Sequence, residues 1–212
     1  MFNKNLQSKD LKLSGGTLME ELLFAIDESS SFYEKLYASL LKERIIYLNG
    51  DIDDNTVDLV TMQIILANER EKNIPIEELK PLTIYLNTRG GDIDPTIHLV
   101  QVIQDSRIPI HVRVLAMAAS AGLYITIACK HRVAYKNSIL LLHKGSIFVG
   151  GNTASAEDTM DFYKEIVQQK FDNLIVERTK ITKDELKKIR RNETYCLGEE
   201  ALVKYGFIDE VI

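Results

Sequence analysis

Apolar and polar positions along this chain follow two alternating rhythms. Short runs such as "RIIYL" (44–48), "LTIYLN" (82–87) and "IHVRVL" (110–115) are rich in β-branched and aromatic residues, and the last alternates in the manner of a half-buried strand. "HRVAYKNSILLLH" (131–143) holds two further strand candidates. Between these runs apolar residues recur every three to four positions, which predicts helices over 55–70, from Asp94-Pro95 onward, and over 156–180. In the last of these Met160, Tyr163, Val167, Phe171 and Leu174 share one stripe. Asp94-Pro95 reads as a helix start, because aspartate accepts bonds from free amides and proline at the first helical position sacrifices none. Alternation of strand and helix predicts an α/β domain.

The N-terminal portion differs. Residues 1–16 have no periodicity and end in Ser14-Gly15-Gly16, the pattern of an arm or linker. From 17 to 42 helical spacing returns (Leu18, Leu22, Phe24, Ile26, then Phe32, Leu36, Leu40, Leu41), broken by Glu28-Ser29-Ser30-Ser31, so two helices or one broken helix are expected. The expected organisation is a variable arm and helix over 1–30 and one domain over 31–212. Residues 71–81 read as a short surface insertion, where added length costs little.

Composition narrows the choice of function. A chain of 212 residues, 45% hydrophobic, is long enough to bury a core. Its formal charge of -5 offers no basic surplus for a phosphate backbone, so no nucleic-acid partner is expected. Cys129 and Cys196 fit no metal-ligand or redox spacing and read as two buried thiols, with no metal site. Residues 1–12 lack the apolar core of a secretory signal and no run reaches membrane-spanning length, so a soluble, cytoplasmic protein is expected.

Candidate chemistry centres on "RVLAMAASAGLYI" (113–125), where Ser120 is the one hydroxyl among small and apolar side chains, apart from the Tyr124 phenol. A serine on a sharp strand-to-helix turn needs small neighbours, as in the G-x-S-x-G elbow; here the frame is Ala118-Ala119-Ser120-Ala121-Gly122. The plain alternative is a helix N-cap. "LNTRGGD" (86–92) ends a strand in Gly90-Gly91, where backbone amides can receive negative charge. "SILLLHKGS" (138–146) ends another strand in His143, whereas His98, His111 and His131 read as structural.

Together these segments resemble the ClpP family of serine peptidases, within the crotonase-like superfamily. The resemblance is carried by "SFYEKLYASLLKERIIYLNGDIDD" (31–54), "IYLNTRGGDI" (84–93), "MAASAG" (117–122), "LLLHKG" (140–145) and "GEEALVKYGFIDEVI" (198–212), in that order. The step of 29 from Gly91 to Ser120 matches the family's spacing of turn glycine and nucleophile. It implies a spiral of β-β-α units with a projecting handle, strand then helix, over about 144–180. It further implies Ser120 as nucleophile, His143 as general base, and the amides of Gly91 and Ala121 as oxyanion hole, with Gly90 and Arg89 beside the bound substrate. Serine needs such a base because its hydroxyl barely ionises at neutral pH, and each oxyanion donor is worth about 3 to 4 kcal/mol in other serine peptidases. No cofactor is implied. Implied partners are polypeptide substrates, other copies in stacked, heptameric rings, an AAA+ unfoldase, and a ClpP paralogue.

The pattern departs in three places. The family aspartate that completes the triad aligns to Asn192, in a segment about three residues shorter than usual, so Glu193 is a second candidate; no aspartate lies between Asp184 and Asp209. Arg89 replaces the turn proline and Thr88 its serine. The N-terminal segment, which forms the axial gate in the family, is long and atypical. The expected activity is therefore ATP-dependent Clp-type endopeptidase chemistry, with attenuation. Its rivals are a silent ring subunit that scaffolds an active paralogue, a crotonase-type acyl-CoA enzyme, and a capsid-maturation peptidase of the same clan.

Overall fold

The computed structural model describes residues 31–145, 152–189 and 192–212. The predicted arm and first helix, and Gly150-Gly151 of the predicted handle, lie outside the described residues. The chain enters through α1 (Phe32–Lys42), whose N-cap Ser31 and third residue Glu34 bond each other's backbone N–H reciprocally (3.2 and 2.6 Å). Then follow β1 (Ile45–Asn49), α2 (Asp54–Arg70), β2 (Leu82–Thr88), α3 (Ile93–Asp105) and β3 (Ile110–Ala119). After them come α4 (Ala121–Ala128), β4 (His131–Ala134) and β5 (Ile139–Leu142). The predicted insertion carries a short 3-10 turn, Ile76–Glu78, and is tied down by Arg107, which donates to the carbonyls of Lys72 and Ile74 (2.7 and 3.1 Å).

The sheet is mostly parallel, in the order β1-β2-β3-β4-β7, where β7 is Glu210–Val211. Parallel neighbours need long crossovers, which the helices supply. β2 alternates buried and half-buried residues along its whole length, with Ile84 and Leu86 fully enclosed. One apolar cluster runs from Leu41 to Ile208. Mixed α/β architecture is as expected.

β3 is longer than the alternating run "IHVRVL" suggests, because it serves two neighbours on one edge. Its first half pairs with β4 (His111↔His131 to Val114↔Ala134) and its second half with β5 (Met117↔Ile139 to Ala119↔Leu141). β5 also pairs, antiparallel, with β6 (Thr194–Leu197), in the register Leu142↔Thr194. This arrangement brings the ends of β3 and β5 side by side.

Two helix expectations need correction. α3 begins at Ile93 with Asp92 as N-cap, not at Asp94-Pro95, and the Asp92 side chain makes no capping bond. Asp94 lies in the first turn and accepts a hydrogen bond from Tyr163 Oη instead (2.6 Å). The helix expected over 156–180 runs as α5 (Thr153–Phe162), a π turn (Tyr163–Val167) and α6 (Gln168–Arg178). A π turn takes an extra residue and rotates the stripe; Val167, Phe171 and Leu174 are buried, while Met160 and Tyr163 are only partly so.

The chain closes through α7 (Lys183–Ile189), β6, a short helix (Gly198–Glu200) with a second π turn (Ala201–Tyr205), and β7. Arg132 of β4 fastens this end: its buried guanidinium pairs with both carboxylate oxygens of Asp209 and donates to the carbonyls of Arg178 and Gly206 (2.9 and 3.1 Å). A buried charge is tolerated only with such full pairing.

Candidate active site

Ser120 stands between β3 and α4 with φ 54° and ψ −116°. A serine at positive φ is strained, and Arg44 is the only other non-glycine residue in that state among the described residues. Its side chain makes no capping bond, so the plain N-cap reading does not hold. Three backbone bonds hold the turn: Ser120 N–H donates to Leu141 O (3.0 Å), while Leu123 and Tyr124 N–H donate to Ser120 O (3.0 and 3.3 Å). Small neighbours are a spatial requirement. A Cβ on Gly90 would lie 2.8 Å from Ser120 Cβ, and one on Gly122 would lie 2.3 Å from Thr88 Cγ2.

The 86–92 loop is built by equally specific bonds. Gly90 N–H donates to Thr88 Oγ1 (3.0 Å), Ile52 N–H to Gly90 O (2.9 Å) and Asp92 N–H to Ile52 O (2.8 Å). The last two form a parallel bridge centred on Gly91 and Ile52. In such a bridge the peptides flanking the central residue do the pairing, so its own N–H points the other way. Gly91 therefore turns its N–H away from Ile52, and a Cβ there would lie 2.2 Å from Ile52 O. Ala121 supplies the first amide of α4, which has no partner inside the helix.

Gly91, Ser120, Ala121 and His143 line one cleft of about 790 Å³. His143 arrives there by register, since Ser120 is bonded to Leu141 and the histidine lies two residues further on. Tyr124, Tyr163 and Phe171 form an aromatic wall, with Tyr124 and Phe171 rings 4.3 Å apart. Asp54, Asp92, Asp94 and Lys144 are its charged groups. The Asp94 hydrogen bond raises the Tyr163 phenol above its ordinary pKa and pins the π turn over the first turn of α3. Sequence reasoning missed this clasp; Tyr163 is the polar member of an otherwise apolar stripe, which was the available signal.

The remaining candidates lie outside the cleft lining. Arg89 is exposed, and its charge acts on Tyr195. Gly90 packs against the serine turn. Asn192 is exposed and its N–H closes a turn on Ile189 O (3.2 Å), with no bond to His143 among the described residues. Glu193 is also exposed, and its Oε2 accepts from Tyr195 Oη (3.1 Å), which raises the phenol's pKa.

Of the histidines read as structural, His111 packs edge-on against His131 at 5.4 Å between ring centres, and burial holds its pKa down. Cys129 and Cys196 are free and buried, and burial pushes both thiols up to about 12. Among the described residues no group of three or more His, Cys, Asp or Glu is disposed to hold a metal ion, and no helix is long and apolar enough to cross a membrane.

A protein-family model described as Clp protease matches residues 28–212. The chain belongs to the Clp protease family. Membership supports a ClpP-like serine peptidase, a hydrolase, and agrees with the mostly parallel α/β sheet.

Proposed function

We propose that this chain is a Clp-type serine endopeptidase that hydrolyses unfolded polypeptides by acyl-enzyme chemistry. Ser120 Oγ attacks the peptide carbonyl while His143 takes the hydroxyl proton, then returns it to the leaving amine. Gly91 and Ala121 N–H groups hold the oxyanion. Water, deprotonated by His143, cleaves the acyl-enzyme. Gly90 and Arg89 flank the substrate backbone, and the third triad position lies with Asn192 or Glu193.

The observation that carries this reading is the Ser120 turn, a strained conformation maintained beside a cleft shared with His143 and two turned-out amides. Strain of this kind costs about 1 to 3 kcal/mol. A serine serving only as a cap has no use for it.

The wider reading follows from the family. Residues 31–212 form one peptidase domain with a handle over about 144–180. Subunits stack in heptameric rings around a chamber, in the cytoplasm, and an ATP-driven AAA+ unfoldase feeds folded substrates. A second reading, a weak or silent ring subunit scaffolding an active paralogue, is favoured by the lack of aspartate between Asp184 and Asp209. Peptidase assays of the chain alone and with a candidate paralogue separate the two: activity alone supports the first, activity only in the mixture the second. Fluorophosphonate labelling tests the chemistry itself, with Ser120 modified in the native protein and no labelling in Ser120→Ala.

A further inference from the structure

Deepening that reading, and resting on it, we propose that Asn87 and Ser138 are positioning residues for the nucleophile: together they hold a two-residue bulge in β3 that sets Ser120 level with the Gly90-Gly91 turn. The register of β2 on β3 runs Leu86↔Val114 and then Thr88↔Ala118. There β2 advances two residues while β3 advances four, so β3 carries two more than a regular ladder. Regular continuation would bring Thr88 to Ala116 and Gly90 to Ala118. With the bulge, the register continued two residues past Thr88↔Ala118 brings Gly90 to Ser120, and a Cβ on Gly90 would lie 2.8 Å from Ser120 Cβ. At about 3.3 Å per residue the bulge thus moves the serine by about 6.6 Å relative to the glycine turn. Bulges re-aim side chains in this way beside active sites.

The bulge falls where β3 changes neighbours. Leu115 and Ala116 pair with no strand among the described residues, between the last rung on β4 (Val114↔Ala134) and the first on β5 (Met117↔Ile139). Side chains take over the bonds that the ladder leaves out there. Asn87, the β2 residue opposite the bulge, accepts Met117 N–H at Oδ1 (3.1 Å) and donates from Nδ2 to Asn49 Oδ1 (2.7 Å). Asn49 is its rung partner on β1, and Asn87 O accepts Gly50 N–H (3.1 Å). An amide presents an acceptor on one side and donors on the other, so the bond to Asn49 turns the Asn87 oxygen toward β3. From the opposite flank the Ser138 hydroxyl donates to Val114 O and Leu115 O (3.0 and 3.1 Å). Ser138 is buried and immediately precedes Ile139, which opens β5 against Met117. Buried backbone groups must be paired, and these two side chains pair the ones on which the bulge depends.

Neither residue lines the cleft. They act through Met117 and Leu115, three and five residues ahead of Ser120. Their loss is therefore expected to misplace the Ser120 hydroxyl relative to the bound carbonyl, which lowers the rate of attack more than it weakens substrate binding.

The test measures kcat and KM for a short fluorogenic peptide, the fluorophosphonate labelling rate and the thermal midpoint in the full-length protein and its variants. Asn87→Ala is expected to lower kcat and the labelling rate together by about 100-fold, the cost of misplacing a reacting group by about 1 Å, with little change in KM. Asn87→Asp keeps the oxygen that accepts Met117 N–H and is expected to recover part of the loss while remaining several-fold slow. Ser138→Ala is expected to be slow in the same two readouts. The double alanine variant should lose less than the product of the single losses, because both side chains hold one bulge. Asp209→Asn, distant from the bulge, is the comparison: it should lower the thermal midpoint and keep kcat. The assignment is overturned if the folded variants, Asn87→Asp and Ser138→Ala included, keep wild-type kcat and labelling rate, or lose stability alone in the manner of Asp209→Asn. Wild-type protein unlabelled at Ser120 overturns the hydrolase reading, whereas labelled wild type with undisturbed variants overturns this inference alone.

Discussion

Ser120 N–H is bonded to Leu141 O at 3.0 Å, which fastens the candidate nucleophile to the strand that ends in His143. The two are 23 residues apart in sequence, yet one hydrogen bond between β3 and β5 fixes their elements in register. Precision of this sort belongs in the sheet, because strands are stiffer supports than loops. The loop residues Gly90 and Gly91 are then fitted against the serine turn and Ile52 by close contact.

Gly122 and Thr88 form a size-matched pair. Gly122→Ala places a methyl group 2.3 Å from Thr88 Cγ2, and crowding of this kind costs about 1 to 3 kcal/mol, against a helix-propensity gain of at most about 1 kcal/mol. Thr88→Ser removes Cγ2 and keeps the oxygen that receives Gly90 N–H. The single variant is expected to unfold at lower urea and to lose activity, and the double variant to recover most of both. An unimpaired Gly122→Ala would show that this contact does not shape the turn.

Arg132 and Asp209 give stability a defined pH dependence. Burial raises the Asp209 carboxyl, but the hydrogen bonds and charge of Arg132 outweigh it and leave its pKa below the ordinary value. The folded pKa is depressed, so the contribution is present above the unfolded value near 4 (about 3.9) and is lost as pH falls through the lower folded value. Asp209→Asn is expected to cost about 2 kcal/mol at pH 7, less than a fully buried pair because one edge of Asp209 meets water. Urea titrations at pH 7 and pH 3 should show the variant losing less between the two than the parent.

The thiols are inert in the folded protein. Cys129 and Cys196 are buried, and their pKa values near 12 leave almost no thiolate at pH 8. Iodoacetamide is expected to spare both in native protein and to modify both in denaturant. Rapid alkylation of native Cys196 would mean that β6 opens readily.

The strands and the serine turn were legible in the sequence because local pattern determines them: alternation for β3, small residues flanking Ser120, glycines in 86–92. What escaped depends on contacts between distant segments. Asp92 takes the cap place expected for Asp94, and Asp94 is bonded instead to Tyr163, 69 residues away. The π turn leaves no mark in a 3.6-residue period. β6 went unread as a strand although Thr194, Tyr195, Cys196 and Leu197 alternate in exposure, since four residues beside a helix carry little signal. Alignment of that segment by helix pattern pointed to Asn192, with Glu193 as the second candidate, and neither bonds His143 among the described residues.

The most direct test is mass-spectrometric mapping of a fluorophosphonate probe on native protein, with Ser120→Ala and His143→Ala alongside. Modification at Ser120 is expected, abolished in the first variant and slowed by orders of magnitude in the second, with peptide turnover in Ser120→Ala falling about 10⁶-fold. Native protein left unmodified at Ser120, or labelled equally fast without His143, would contradict the convergence of the two side chains on one carbonyl.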